Sequence, residues 1–426
     1  MTNFFEMDKN ELLEIHDKLL EEYKNFQSKN LKLDMSRGKP GADQLDLSMK
    51  LLDSLNSQSN YKSKDGTDCR NYGVLDGITE MKEFVASSTG LKAEDFIVGG
   101  NSSLNLMFDA ISCFMTHGIA KCEPWIKQGK IKFLCPAPGY DRHFAITEYF
   151  GMELIPVEMI PEGPDMDFIE EMVKDPLVKG IWCVPKYSNP QGITYSDETV
   201  TRFSALKPSA KDFRIFWDNA YFVHDLTSET TQLLNLMTEC EKNGSEELPI
   251  IFYSTSKITF PGAGVAFIAC RGNNLKTLKK HFGMQTVGFD KLNQLRHFYF
   301  LKNKETLINH MKKHREILKP KFDLVINHLK NEFENNPIVK WIEPKGGYFV
   351  SVDILSGCTK RVVELCKNAG VILTSAGATY PYGKDPNDSN IRLAPTFPVA
   401  EELCLAMKLF CLCAKLAATE KIIESK

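Results

Sequence analysis

Apolar and polar positions alternate along the chain with two different periods, and the change of period divides it. Between about residues 8 and 28, Leu12, Leu13, Ile15, Leu19, Leu20 and Tyr23 recur among charged residues at helical spacing. This predicts an amphipathic helix packing one face against the body. Residues 36–42, SRGKPGA, are punctuated by Gly and Pro and read as a loop, after which DLSMKLLDSL returns to helical spacing. From about residue 95 to 270, short apolar runs (DFIVGG, IKFLCPAPGY, MELIPVEM, GIWCVP, FRIFWDNAY, PIIFYSTSK, VAFIAC) alternate with helical segments such as SLNLMFDAISCFM. Buried strands joined by crossover helices predict an α/β unit with a mainly parallel sheet covered on both faces. Ligands of such sheets bind beyond the C-terminal ends of the strands. Here several runs end in polar clusters, at 99–103, 138–141, 187–192, 218–221 and 254–257.

Residues from about 291 to 334 are charged and helical in pattern, interrupted by Pro320, and are expected to bridge two units. Beyond them, WIEPKGGYFVSVDI, VVELCKNAGVILTSAGATY, NIRLAPTFP and EELCLAMKLFCLCAKLAAT suggest a smaller α+β unit. The expected division is a large domain over 51–319, with 1–50 and 320–426 forming the small domain and an N-terminal arm. No internal repeat or low-complexity segment is visible.

Composition narrows the function. At 426 residues, 43% hydrophobic and 25% charged, the chain is an enzyme-sized globular protein of two or three units. Lys+Arg 52 against Asp+Glu 55 leaves a net charge of -3, without the basic field that nucleic acid or an acidic membrane surface requires. The first residues carry acids early and no basic leader before an apolar core, so no signal peptide is expected. No run approaches the roughly 18 apolar residues of a membrane span. The 12 cysteines are scattered without C-x-x-C, and Cys411 and Cys413 are the closest pair. Reduced, buried thiols in a cytoplasmic protein are expected, with no metal site.

Candidate chemistry sits at the ends of the apolar runs. Asp218 follows FRIFW, where a strand would deliver a carboxylate to the sheet edge, and Tyr221 stands three residues later. Asn189 lies in YSNPQG, Lys257 in YSTSKITFPGAG and Arg392 in NIRLAP. No G-x-G-x-x-G follows a strand, and P-loop, H-E-x-x-H and G-x-S-x-G motifs are absent. His310 and His314 stand at i, i+4 amid MKKHR, and the charges around them predict exposed side chains and no metal pair.

Taken in order, NYGVLDGI, GGNSS, PAPGY, SNPQG, WDNAY, STSK, GGYF and NIRLAP resemble the fold-type I pyridoxal-phosphate enzymes, specifically the class I aspartate-aminotransferase-like family. The resemblance runs from about Asp34 to the end. It implies a seven-stranded-type sheet in the large domain and pyridoxal 5'-phosphate as cofactor. Lys257 would form the Schiff base with the cofactor aldehyde and then shuttle the proton between substrate and cofactor. Asp218 would keep the pyridine nitrogen protonated, making the ring an electron sink. Tyr221 and Asn189 would hydrogen-bond the phenolic oxygen, and Tyr140 would stack on the ring. Asn101, Ser102 and Ser103, preceded by Gly100, together with Ser254 and Ser256, would hold the phosphate at a helix start. Tyr72 would reach the phosphate of the neighbouring subunit, which implies a homodimer with shared active sites. Arg392 would grip the substrate α-carboxylate with its two-pronged donor, and the backbone at Gly38 would close over the substrate.

The chain departs from that family in one place. Most members carry an arginine about eight residues beyond the lysine to neutralise the phosphate, and FPGAGVAF covers this region without a cation. This points to a divergent branch that includes aspartate aminotransferases. A dicarboxylic substrate needs a second cation, for which Arg37, Lys39 and Arg142 are the candidates. The expected activity is transfer of an amino group from an amino acid, aspartate foremost, to a 2-oxo acid, 2-oxoglutarate foremost, in two half-reactions. Three alternatives stand beside it. A lyase or decarboxylase on the same fold would release product from one amino acid without an acceptor. A sensing module would need a DNA-binding domain, and only about 33 residues precede DMSRGKPG. A scaffold protein would bind no cofactor.

Overall fold

A computed structural model describes residues 3–426. Its strands, in chain order, are β1 (Leu33–Asp34), β2 (Phe96–Val98), β3 (Lys132–Ala137), β4 (Glu153–Ile160), β5 (Gly163–Pro164), β6 (Val178–Cys183) and β7 (Arg214–Asp218). There follow β8 (Pro249–Ser254), β9 (Ala266–Ala269), β10 (Val339–Trp341), β11 (Val350–Ile354), β12 (Val371–Ile372) and β13 (Asn390–Leu393).

The large sheet runs β2, β9, β8, β7, β6, β3, β4, β5. Its interior pairs, from β8 through β7, β6 and β3 to β4, are parallel, and only the margins are antiparallel. The mainly parallel α/β architecture is therefore present, with eight strands where seven were expected. The extra one, β5, is two residues long and pairs with the end of β4 at the sheet edge. Pro164 is admissible there because an edge strand needs no inward donor.

Every residue of β7 and β8 is buried, as parallel strands covered on both faces must be. Along β7 the faces alternate: Ile215 and Trp217 enter one core, and Phe216 enters the other beside Trp182 and Phe133. A third core unites the small three-stranded sheet, β10-β11-β13, with the helices Lys9–Gln27 and Ala400–Ser425. Asp8 starts the first of these through a capping box with Glu11, worth about 1 kcal/mol.

Two local expectations are corrected. The helix Lys304–Phe333 runs through Pro320 without ending. His310 and His314, expected at the surface, are 8% and 1% exposed. They share the helix face of Leu307, Met311 and Leu318, so the 3.6-residue repeat carries them inward while the lysines point out. Ten of the 12 cysteines are buried and all are unpaired. Among the described residues no helix is long and apolar enough to cross a membrane, and no cluster of three or more His, Cys, Asp or Glu could hold a metal.

Candidate active site

Strand β7 ends at Asp218 and its neighbour β8 ends at Ser254, with Asp218 in register with Phe252. The turn after β8 carries Lys257 to the same edge of the sheet, its amine 5.0 Å from the ring centre of Tyr221 and 5.8 Å from that of Tyr348. Burial holds the Lys257 amine below its ordinary range, and the charge of Asp218 opposes that shift. A depressed amine pKa enlarges the neutral, nucleophilic fraction at working pH.

Asp218 is 3% exposed. Its Oδ2 accepts from His143 Nε2 at 3.1 Å, whereas its Oδ1 is buried with no partner. A carboxylate can only accept, so the imidazole places its proton on Nε2. His143 is itself clamped flat against Trp182, with ring centres 4.4 Å apart and planes at 9°. The sequence reading missed His143, although it lies three residues beyond Tyr140, within the first turn of the helix Asp141–Tyr149. Tyr140 stands edge-on to His143 at 4.9 Å. Burial, reinforced by Asp218, drives the hydroxyls of Tyr140 and Tyr221 upward, so both stay protonated.

Arg392, on β13, is 6% exposed, and its Nη1 donates to Asp141 Oδ1 at 2.8 Å and to Asn189 Oδ1 at 3.2 Å. Its guanidinium lies 4.8 Å over the Phe349 ring, and its Nε is buried without a partner. Phe349 also touches Gly38: a Cβ added there would come within 2.4 Å of the ring. Only glycine lets the 36–41 loop lie this close. The pairing of Asp141 with Arg392 was not foreseen.

The helix Ser103–His117 begins with Ser102 as its cap. Ser256 Oγ donates to the Asn101 carbonyl at 3.4 Å, and Asn101 Nδ2 to the Gly262 carbonyl at 3.4 Å. Asn101, Ser102, Ser103, Ser254 and Ser256 are thus gathered around one helix start, the geometry that favours an anion. Eight residues beyond Lys257, Val265 is buried, with its N–H donating to Thr255 Oγ1 at 2.9 Å. No cation stands where most of the family has its arginine. Tyr72 lies apart on the surface, 83% exposed. Arg37 and Arg142 are exposed, and the Lys39 amine covers the Phe397 ring at 3.7 Å.

The site reaches the surface at one end, where Asn101 is exposed and Ser256 and Lys257 are half-buried. A hollow of about 20 Å³ adjoins Tyr140, His143 and Asn189. A far larger cavity, about 510 Å³, involves Lys186, Trp217, Asn219, Tyr253 and Arg315 and none of the site residues foreseen from sequence. Trp217 alternates with Asp218 along β7, so that cavity lies against the opposite face.

Residues 7–426 match the aspartate amino-transferase family. The chain belongs to that family. It is 44% identical over 406 residues, 95% of this chain and 94% of the relative, to aspartate aminotransferase of Corynebacterium glutamicum. The crystal structure of an aspartate transaminase from the same organism superposes with a TM-score of 0.96 at 43% identity, covering 99% of both chains. A more distant structure, the α-aminoadipate aminotransferase LysN of Thermus thermophilus complexed with N-(5'-phosphopyridoxyl)-L-leucine, shares the fold at TM-score 0.72 and 19% identity, over 92% of this chain and 93% of that one. The protein is accordingly a pyridoxal-phosphate-dependent aminotransferase, aspartate aminotransferase-like, of the divergent branch inferred from STSKITFPGAG.

Proposed function

We propose that this aminotransferase moves the amino group of aspartate to 2-oxoglutarate in two half-reactions that share one site. The observation that carries the cofactor-dependent chemistry of this reading is the buried, unpartnered Oδ1 of Asp218, whose charge acts on the Lys257 amine; the choice of aspartate is supported by the likeness to the Corynebacterium glutamicum aspartate aminotransferase. A buried acceptor without a partner costs about 1–3 kcal/mol, and a protonated ring nitrogen is a group that would relieve it.

The residues present fit pyridoxal 5'-phosphate. Asp218 would hold the ring nitrogen, Tyr221 and Asn189 the phenolic oxygen, and Tyr140 one ring face. Asn101, Ser102, Ser103, Ser254 and Ser256 would hold the phosphate at the helix start. Bound there, the cofactor supplies an electron sink that makes the substrate Cα–H acidic. His143 keeps Asp218 oriented and Trp182 keeps His143 in plane. The Lys257 amine, neutral more readily than an exposed lysine, acts as nucleophile and then as the base that moves the Cα proton. Arg392 grips the α-carboxylate, exchanging Asp141 for substrate, while Asn189 continues to hold its Nη1. Gly38 lets the 36–41 loop cover the substrate and exclude water, and Arg37 supplies the distal cation. Tyr72 serves the phosphate site of a second subunit, so the working unit is a homodimer. The 12 unpaired thiols suit the reducing cytoplasm.

Incubation of the loaded enzyme with aspartate and 2-oxoglutarate should give oxaloacetate and glutamate in equal amounts. With aspartate alone, oxaloacetate should stop at one equivalent per site. Continuous product release from aspartate without an acceptor would instead identify a lyase.

A further inference from the structure

Beneath Lys257 lies a buried polar network that the chemistry above does not use. The carbonyl of Ile258 faces His310 Nε2 at 2.8 Å and His314 Nε2 at 3.0 Å. The carbonyl of Lys257 itself faces His224 Nε2 at 3.3 Å and accepts from the Tyr348 hydroxyl at 3.4 Å. With Ser48 Oγ, which also donates to the Ile258 carbonyl at 3.4 Å, five donors from four separate segments converge on two consecutive carbonyls, one of them belonging to the lysine that carries the reaction.

Gln44 gathers this network from the other side. Its Nε2 donates to the Tyr348 hydroxyl at 2.9 Å and to His314 Nδ1 at 3.1 Å, and its Oε1 accepts from the Gly41 N–H at 3.3 Å. Because His314 Nδ1 accepts, its Nε2 carries the proton and is free to donate to Ile258. Both amide hydrogens and the amide oxygen of Gln44, which is fully buried, are thus engaged. Glutamate would lose both donors, and leucine all three functions, at nearly the same volume.

Gln44 lies in the short helix Ala42–Asp46, directly after the 36–41 loop. That loop is also tied at Ser36 and Lys39, whose carbonyls accept from Thr374 Oγ1 at 2.8 Å and Thr396 Oγ1 at 2.9 Å. Its Gly38 rests on Phe349, the residue after Tyr348. A movement of the loop is therefore felt at Tyr348 by two routes, through the Gln44 amide and through the backbone next to Phe349. Burial holds His314 down at about 4 and His224 at about 3, so the tautomers on which the network relies persist at neutral pH.

We propose that Gln44 is a positioning residue that transmits the seating of the 36–41 loop, through Tyr348 and His314, to the Lys257 and Ile258 carbonyls, coupling substrate enclosure to the aim of the Lys257 amine. This rests on the reading of Lys257 as the reacting amine and of Gly38 as part of the enclosing loop. Coupling of two sites is reciprocal: what closes the loop alters Lys257, and what frees Lys257 loosens the loop.

The test uses cofactor-loaded enzyme and maleate, a non-reacting dicarboxylate. The pH midpoint of the cofactor absorbance is measured with and without saturating maleate in wild type, Q44L, Y348F and H314Q, alongside maleate affinity, aspartate KM and kcat, and Tm. The expected result is that Q44L at least halves the maleate-induced shift of the midpoint and weakens maleate about 5-fold or more, while the midpoint without maleate stays put. In the Q44L/Y348F double variant the two losses should not add, because both break one path. Should Q44L fail to fold, Y348F asks the same question, since phenylalanine keeps the ring and removes the hydroxyl that links the Gln44 amide to the Lys257 carbonyl. The relay is overturned if these variants lower Tm yet leave the maleate shift and aspartate KM at wild-type values, or if the double variant is additive. A different result addresses the underlying reading: if loaded K257A keeps the wild-type absorbance titration, Lys257 is not the reacting amine and the relay falls with it.

Discussion

Two buried aspartates lie at opposite ends of β7, and the chain treats them differently. Asp212, just before the strand, is 1% exposed and fully partnered: Oδ1 accepts from Lys179 at 2.8 Å, and Oδ2 from Trp125 Nε1 at 3.0 Å and Gln128 Nε2 at 2.8 Å. Asp218, at the other end, has one oxygen on His143 and one on nothing. The N-terminal end of the sheet is closed by its own side chains. The C-terminal end keeps an uncompensated acceptor, and near it lie the depressed Lys257 amine and the buried, unpartnered Nε of Arg392. Burial alone therefore does not single Asp218 out as a candidate; incomplete satisfaction in the company of other unsatisfied groups does.

The contrast can be broken most severely at the C-terminal end of the sheet. Replacing Lys257 by Ala should lower transamination by about 10⁴-fold or more, the upper range for a positioned acid–base group, while circular dichroism and Tm stay near wild type. Retained turnover would contradict the assignment. Next comes the pair of aspartates. D212A leaves Lys179 buried without its counter-charge and should cost about 3–5 kcal/mol of stability, with kcat little changed at temperatures where the enzyme remains folded. D218A should invert that pattern, losing about 10²–10³-fold in kcat for less than about 1.5 kcal/mol of stability. Denaturant unfolding of the cofactor-free protein and steady-state kinetics of the loaded enzyme separate the two, and equal stability costs would erase the distinction between the ends.

Acid should also act unequally. His314 and His297 titrate near 4 in the fold against 6.5 ordinarily, because burial disfavours their charged forms. Below 6.5 the unfolded chain takes up protons that the native protein refuses, so stability should fall as pH drops from 6.5 to about 4, by at most about 1.4 kcal/mol per pH unit for each group. H314Q should flatten that slope, and D212A should leave it in place. Smallest in energy is Gly38→Ala: its Cβ would meet Phe349 at 2.4 Å. Aspartate KM should rise roughly 10-fold, equivalent to about 1.4 kcal/mol, with Tm nearly unchanged.

Particular residues show where the sequence was legible. The ends of GIWC, FRIFW and PIIFYS could be read because a strand buried on both faces writes itself as an unbroken apolar run, and the residue that follows must emerge at the sheet edge. Asn189, Asp218 and Lys257 were singled out as candidates in this way, and the order of motifs added Arg392; the structure places Asp218 and Lys257 at one edge of the sheet and Asn189 against Arg392. His143 and Gln44 were not found, since their partners stand 75 and 270 positions away. His310 and His314 were misplaced because neighbouring lysines outweighed the helical spacing of Leu307, Met311 and Leu318. Nothing local marked Asp141 as the partner of Arg392, 251 positions distant.

Local pattern thus determined the α/β alternation, the places where polar groups leave the strands and, with the motif order, the family. Those features depend on backbone periodicity and on residues adjacent in sequence. Which carboxylate is satisfied and which is left wanting, which histidines turn inward, and how a glutamine near the start of the chain comes to lie beneath Lys257 were decided only by tertiary structure. Each depends on distances between groups that the chain brings together only when it packs.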